Sequence, residues 1–202
     1  MEKIKRTFGF ILTHPLSKRH LPKSIFRFLI WQMQSNFSPS KFFIKQFIKP
    51  VKFYARKGLT GITGNIYVGL HEFNDMTFLL HFLRSEDTFL DIGANVGSYT
   101  LLASGIRKAK SIAIEPIKST FEILNNNIEL NKLQNKVSVI NSAVGGEKGT
   151  LTFTTGEDTT NHVVAEDELI KTDFATVPVI TVDSLSSKNP PVLMKIDVEG
   201  YE

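Results

Sequence analysis

Short apolar runs alternate with segments of helical periodicity along most of the chain. The apolar runs have the length of buried strands, and they occupy residues 88–92, 111–115, 137–140, 149–154, 177–182 and 192–196. Apolar residues at spacings of three and four predict helices over residues 75–83, 98–104 and 119–130. Strands that alternate with helices predict an α/β fold with a mainly parallel sheet, because right-handed crossovers place successive strands side by side.

Two local features refine this pattern. Ser119 and Glu122 form a capping box, so Ser119 is predicted to be the N-cap of the third helix. The polar stretch between the strands at 149–154 and 177–182 is predicted to be a loop.

Prolines divide the first sixty residues into short pieces. They stand at positions 15, 22, 39 and 50, and each piece between them is too short for a long helix. Gly58, Gly61 and Gly64 then mark a turn-rich junction. We therefore predict a basic, helical N-terminal extension over residues 1–60 and a main domain over residues 61–202.

The composition is that of an ordinary globular protein. The chain has 202 residues, of which 42% are hydrophobic and 22% charged, enough for one domain and an appendage. The absence of cysteine excludes disulfides, thiolate zinc sites and a cysteine nucleophile. No apolar run is long enough to span a bilayer, and the run at residues 8–12 is too short for a signal peptide. A cytoplasmic protein is therefore expected.

The charge is unevenly distributed. Residues 1–60 contain 13 lysines and arginines and a single acid, Glu2, whereas residues 61–202 contain 11 basic and 19 acidic residues. Basic and apolar residues interleave in the first segment, so it either packs as a helical extension on the main domain or lies on an anionic membrane surface. We favour packing, because helix packing is far commoner. The segment shows no recognisable nucleic-acid module, and no nucleic-acid partner is predicted.

A glycine turn follows the strand predicted at residues 88–92. Gly93 and Gly97 bracket this turn, which begins two residues after Asp91, and glycines let the backbone approach a ligand closely. The dinucleotide fingerprint does not fit, because Asn95 and Ser98 take its second and third glycine positions. The phosphate-binding loop does not fit either, since no Gly-Lys-Ser/Thr string follows. The turn therefore suits a ligand that need not bring a pyrophosphate.

Glu115 ends the next strand, 24 residues beyond Asp91. A carboxylate there is placed to accept both hydroxyls of a ribose, and Pro116 keeps Glu115 extended, so that its side chain projects from the strand tip. Each feature alone has an ordinary explanation, a strand-to-helix turn or a solvated strand end. Together, within one βαβ unit, they favour nucleoside binding.

Five motifs follow one another along residues 67–202. They are LDIGANVGSYT at 90–100, EP at 115–116, NSAV at 141–144, TVDSL at 181–185 and KIDVEGYE at 195–202. Together they resemble the FkbM-type S-adenosylmethionine-dependent methyltransferases, and the first and last strings as a pair carry most of the specificity. The resemblance implies a Rossmann-like, doubly wound sheet of the class I methyltransferase type, with S-adenosylmethionine as cofactor.

The resemblance also implies roles for residues around the cofactor. Asp91 is expected to hold the methionine end, directly or through water. Gly93, Asn95 and Gly97 are expected to line the path of the cofactor, and Glu115 to bind its ribose.

Three residues just past the strand at 137–140 are further candidates. By resemblance, Asn141, Ser142 and Ala143 border the adenine. Many methyltransferases carry an acid near the last of these positions, whereas these residues are neutral. Adenine contacts are therefore expected to come mainly from backbone and apolar groups, or the trio is an ordinary strand end.

Asp197 and Glu199 end the last predicted strand, which is expected to lie beside the strand at 88–92 and across the cleft from the glycine turn. We take both as candidate catalytic residues, because such a pair can act as general base for an acceptor hydroxyl, orient the acceptor or bind a divalent cation. In the structural alternative, Asp197 caps a following helix and Glu199 lies in its first turn.

The resemblance implies an O-methyltransferase that acts on a hydroxyl of a saccharide, another glycan or a small secondary metabolite. Two alternatives stay open: a metal-dependent nucleotide-sugar transferase with Asp197 and Glu199 as its metal pair, and a non-catalytic nucleoside-binding module. The histidines show no metal-ligand spacing, so no resident metal is predicted. Because the resemblance accounts for only about the first four strands of a seven-stranded sheet, the domain is expected to be incomplete at its C-terminus.

Overall fold

The computed structural model describes residues 2–154, 174–185 and 190–198. The α-helices within these ranges are α1 Glu2–Thr13, α2 Pro15–Arg19, α3 Leu21–Phe37, α4 Thr60–Val68, α5 Phe73–Phe82, α6 Ser98–Thr100 and α7 Lys118–Leu130. The strands are β1 Phe43–Gln46, β2 Lys52–Ala55, β3 Thr88–Ile92, β4 Lys110–Ile114, β5 Val137–Ile140, β6 Ala143–Val144, β7 Gly149–Thr154, β8 Phe174–Ile180 and β9 Leu193–Ile196. A π-helical segment, Leu101–Ile106, continues α6, and Val182–Leu185 forms a 3-10 turn.

The central sheet has four parallel strands in the order β5-β4-β3-β9. From β3 the chain winds outward to β4 and then β5, and it later returns to place β9 on the other side of β3. Asp91 of β3 stands in register with Ala113 of β4 and with Lys195 of β9. The order of the strands therefore reverses at β3, which is the point where doubly wound sheets bind ligands. The predicted Rossmann-like α/β fold is confirmed.

The strands predicted at 149–154 and 177–182 are present, but they do not extend the parallel sheet. They form β7 and β8 of a separate three-stranded sheet in which β8 pairs with β6 in parallel and with β7 antiparallel. Strand β8 begins three residues earlier than predicted and ends at Ile180. The loop predicted between β7 and β8 lies outside the described residues.

The predicted N-cap of α7 is wrong. The helix begins at Lys118, its N-cap is Ile117, and no side chain caps it, so Ser119 lies inside the first turn. The cause is the residue at the end of the preceding strand: the Glu115 carboxylate accepts the Ile117 amide at 3.0 Å. This contact fixes the entry to the helix before the capping box is reached.

The N-terminal region is less fragmented than its prolines suggest. Helix α3 runs for 17 residues with Pro22 in its first turn, where a missing amide hydrogen costs nothing. Residues 43–55 contain a hairpin, β1–β2, where only helices were predicted. The inward side chains of β1 and β2, Phe43 among them, alternate with exposed ones, and this period of two is typical of a strand.

One buried apolar cluster joins the two parts of the chain. Ile11, Phe28 and Trp31 belong to the same cluster as Leu101 and Leu124. The basic helices therefore pack on the sheet domain, while a domain boundary at residue 60 stays a prediction. Within the described ranges, no helix is both long and apolar enough to cross a membrane.

Asn127 of α7 is a polar link between the same two parts. Its side chain is fully buried; its Oδ1 accepts the Tyr54 amide of β2 at 2.7 Å, and its Nδ2 donates to the Val96 carbonyl of the glycine turn at 2.8 Å. The hairpin and the turn are therefore fixed to the same helix.

Candidate functional site

The turn after β3 has a backbone that few residues can adopt. Gly93, Asn95 and Gly97 have φ of 71°, 51° and 93°, the left-handed region that favours glycine and tolerates asparagine. A Cβ on Gly93 would lie 2.0 Å from the carbonyl oxygen of Asp197, which follows β9. The turn therefore lies directly against the end of β9, and the contact excludes any side chain at position 93.

Asp91, the fourth residue of β3, is almost completely buried. Its Oδ2 accepts the amide of Thr100 at 3.0 Å and the hydroxyl of Thr100 at 2.6 Å. Its Oδ1 is buried and has no hydrogen-bond partner among the described residues. A buried oxygen without a partner lowers the stability of the folded state, so this oxygen is a candidate acceptor for a hydrogen bond from a ligand.

Burial raises the pKa of Asp91, and the charge of Lys195 and the two hydrogen bonds from Thr100 oppose this rise. Lys195 stands next to Asp91 across the β3–β9 pair. A positively charged group placed at Asp91 would favour the ionised carboxylate.

Glu115, directly after β4, is also buried but does not project from the strand tip. Its carboxylate folds back: Oε2 accepts the Asn95 amide at 2.9 Å, and Oε1 accepts the Ile117 amide at 3.0 Å. The expectation of a projecting side chain is therefore corrected, because the backbone amides of Asn95 and Ile117 draw the carboxylate inward. A carboxylate has about four acceptor sites, so this one can still accept further hydroxyls.

Burial raises the pKa of Glu115 from 4.5 to about 7, and the amides of Ile117 and Asn95 oppose the rise. The folded protein keeps this proton to higher pH than the unfolded chain does. Between these two pKa values the folded state binds more protons, so the free energy of unfolding should fall as pH rises through this window.

We expect urea unfolding to show lower stability near pH 8 than near pH 5, with Glu115 contributing about 3 kcal/mol. The Glu115→Gln variant cannot titrate at this position, so its stability should vary less with pH. The raised pKa of Asp91 lowers the stability at higher pH in the wild type and in the variant alike. The difference in pH dependence between the two proteins therefore reports on Glu115. An identical pH dependence in both proteins would show that Glu115 ionises normally.

Asn95 contributes mainly through its backbone. Its Oδ1 accepts the Val96 amide at 2.7 Å, which stabilises the left-handed turn, and its own amide binds Glu115. The side chain that was expected to line a ligand path is thus engaged within the turn.

The trio after β5 has mainly structural contacts. The Asn141 side-chain amide donates to the carbonyls of Glu115 and Pro116, both at 2.8 Å. The buried Ser142 hydroxyl donates to Pro178 of β8, and Ala143 pairs with Val179 in the small sheet. The side chains of Asn141 and Ser142 therefore hold the strand ends together.

Asp197 follows β9 at the same edge of the sheet. Its side chain is 59% exposed, and its Oδ2 accepts a hydrogen bond from Lys195 Nζ at 2.8 Å. The Lys195 ammonium also lies 5.0 Å from the centre of the Tyr99 ring. Burial and the nearby Glu72 raise the pKa of Tyr99. Lys195 therefore lies between the exposed carboxylate of Asp197, which it contacts, and the buried Asp91, which stands opposite it in the sheet.

Glu199, the other candidate catalytic residue, lies outside the described residues. A divalent cation at Asp197 would have to share its carboxylate with the Lys195 ammonium. Within residues 2–154, 174–185 and 190–198, no group of three histidine or acidic side chains is arranged to hold a metal ion.

Sequence reasoning assigned no role to several residues that shape the site. Thr100 and Lys195 lie within the quoted motifs. The β3–α6 turn places Thr100 next to Asp91. The β3–β9 register places Lys195 next to Asp91 as well. Asn65 of α4 has no signal in the sequence: its Oδ1 accepts the His71 amide at 2.8 Å, and its Nδ2 donates to Ser98 Oγ at 3.3 Å. Asn65 thereby connects α4 to the start of α6.

The family of methyltransferase FkbM domains matches residues 91–202, more than half of the chain. The match includes the glycine turn, Glu115 and Asp197, and it confirms the resemblance drawn from the motifs. The chain has no significant match among curated proteins.

Several solved structures are similar to part of the chain. The TYW2 protein of P. horikoshii in complex with MeSAdo is 20% identical, with a TM-score of 0.39 over 50% of this chain and 36% of that chain. A SAM-dependent methyltransferase from Agrobacterium tumefaciens is 15% identical, with a TM-score of 0.40 over 50% and 32%. One from Thiobacillus denitrificans, in complex with S-adenosyl-L-homocysteine, is 18% identical, with a TM-score of 0.32 over 36% and 32%. The chain thus matches about a third of the length of each structure.

Proposed function

Because the chain belongs to the family of methyltransferase FkbM domains, we propose that it transfers a methyl group from S-adenosylmethionine to a hydroxyl of a saccharide or other small molecule. The observation that carries this proposal is the pair of buried acids, Asp91 and Glu115, at neighbouring strand ends. One oxygen of this pair, Asp91 Oδ1, has no partner among the described residues.

The residues at this edge fit such a cofactor. The Asp91 carboxylate would accept hydrogen bonds from the methionine end, and Glu115 would accept the ribose hydroxyls beside its two amide contacts. Gly93 and Gly97 let the turn pack closely against the end of β9 and against Leu124 of α7, which fixes the turn beside the two acids. Both acids have a raised pKa, which a cationic ligand opposes by favouring their ionised forms.

When bound, S-adenosylmethionine supplies a methyl group on a positively charged sulfur. The chain's own task is then to hold an acceptor oxygen in line and to remove its proton. Asp197 suits this role because its carboxylate is exposed at the strand end and Lys195 holds its orientation. The acceptor, its methylated atom and any contribution of Glu199 belong to this proposal as well.

We expect Glu115→Ala to lower the affinity for S-adenosylhomocysteine roughly 10–100-fold, because charge-assisted hydrogen bonds to the ribose are lost. Titration calorimetry on the full-length protein measures this change. Glu122→Ala is the matched control, since Glu122 is an exposed acid on α7, and it should bind like the wild type.

A 2′-deoxy analogue of S-adenosylhomocysteine separates ribose binding from support of the turn. It should bind the wild type more weakly than S-adenosylhomocysteine does, while Glu115→Ala should discriminate little between the two ligands. If the variant retains the full discrimination, Glu115 supports the turn and does not bind the ribose. Cofactor binding without turnover on any acceptor would favour the non-catalytic alternative.

A further inference from the structure

Helix α3 is apolar on two opposite faces. Its inward face packs on the core through Phe28 and Trp31. Its outward face carries a second apolar row, with spacings of three and four that keep it on one side of the helix. The members of this outward stripe, with their exposed fractions, are Phe26 63%, Leu29 55%, Met33 55% and Phe37 85%. Burial in the core explains the first row and leaves the second row unexplained.

Positive charge surrounds the outward stripe. Lys23 and Arg27 belong to α3, Lys18 and Arg19 end α2 immediately before it, and Lys41 follows it. No acid occurs between residues 3 and 71. In the part of the chain that the structure describes, none of these cations forms an ion pair with a carboxylate. The charge is therefore available to a partner.

We propose that the outward stripe of α3 and the cations beside it form a docking surface for an anionic lipid membrane. The stripe extends from residue 26 to residue 37, about 16 Å along the helix axis. This is too short to cross a bilayer and suits a helix that lies in the interface with its apolar side chains among the acyl chains. The lysines and arginines within α3 and next to its ends reach anionic headgroups.

Charge complementarity selects this occupant over others. A second copy of the chain would bring another region of excess positive charge against the first, and like charges oppose such contact. A nucleic acid offers negative charge but no apolar surface to cover four large exposed side chains. An anionic bilayer offers both negative charge and hydrocarbon at the same depth. The proposal is independent of methyl transfer.

Sedimentation with lipid vesicles tests the proposal on the full-length protein. We expect binding to vesicles made of equal parts phosphatidylcholine and phosphatidylglycerol, much weaker binding to pure phosphatidylcholine, and loss of binding near 1 M salt, where the Debye length is ~3 Å. The double variant Phe26→Ser and Met33→Ser should weaken partitioning at least about tenfold, since each side chain loses its burial in hydrocarbon. Lys23→Glu and Arg27→Glu should each weaken it about fivefold or more.

Helix α5 provides the matched control. Phe78 and Phe82 are 55% and 44% exposed and stack on each other, but Asp75 lies on the same helix. The double variant Phe78→Ser and Phe82→Ser should bind vesicles like the wild type, and Lys110→Glu, at the start of β4, controls for general charge. The proposal is overturned if the wild type fails to bind anionic vesicles at low salt, or if the α5 variant loses as much binding as the α3 variant. It is also overturned if the stripe variants change only the oligomeric state seen by light scattering.

Discussion

Replacing Asp197 with asparagine is expected to lower kcat about 10²–10⁴-fold, with no change in the affinity for S-adenosylhomocysteine. The carboxylate lies at the end of β9 beside the glycine turn, and its exposure lets an acceptor hydroxyl reach it. Asparagine keeps the size of the side chain and an oxygen that can still accept from Lys195, so the geometry is preserved while the proton acceptor is lost. Rates on the identified acceptor and calorimetry on the full-length protein measure the two quantities.

Glu147→Gln is the control for this experiment. It makes the same chemical change at an exposed position between β6 and β7, where no effect on rate is expected. A kcat for Asp197→Asn within about threefold of the wild type, with the fold intact, would remove Asp197 from the reaction and leave it a structural role.

Gly93→Ala should destabilise the folded protein by about 2–5 kcal/mol, as the sum of a left-handed backbone and an overpacked contact. The new Cβ would lie 2.0 Å from the Asp197 carbonyl oxygen, which belongs to the backbone and cannot rotate away. The Asp197 amide donates to the Ile92 carbonyl at 3.1 Å, so movement of Asp197 would also disturb the pairing of β3 with β9. Urea unfolding should therefore show a lower midpoint, and cofactor affinity should fall as well.

Gly146→Ala is the matched variant, because a Cβ at Gly146 meets no atom within 4 Å. Its unfolding midpoint should stay close to that of the wild type. Equal midpoints for the two variants would show that the end of β9 moves freely away from the turn.

The sheet could be predicted because its strands are short apolar runs whose order along the chain constrains their pairing. Asp91 and Glu115 were placed at strand ends for the same reason, and the structure brings both to one edge. The conformation of a side chain at a strand end could not be predicted from the order of the apolar runs. Glu115 was expected to project, but the free amides of Asn95 and Ile117 draw it back into the turn.

Other differences come from contacts that the local sequence pattern does not reveal. The capping box at Ser119 is a local pattern, and the Glu115 carboxylate overrides it at the helix entry. The β1–β2 hairpin was missed because basic and aromatic residues interleave there as in an amphipathic helix. It forms where β2 packs on α7, with the Lys52 amide donating to Asn131 Oδ1 at 2.8 Å.

The contacts of Asn127 limit which segments could replace the N-terminal region in a chimeric protein. One buried amide holds both the Tyr54 amide of the N-terminal hairpin and the Val96 carbonyl of the glycine turn. A chimera that exchanged the first sixty residues for a segment without a donor at this position would leave the Asn127 side chain half satisfied in the interior, next to the glycine turn. A replacement segment must therefore place a backbone donor where the Tyr54 amide lies, so that the Asn127 side chain stays satisfied.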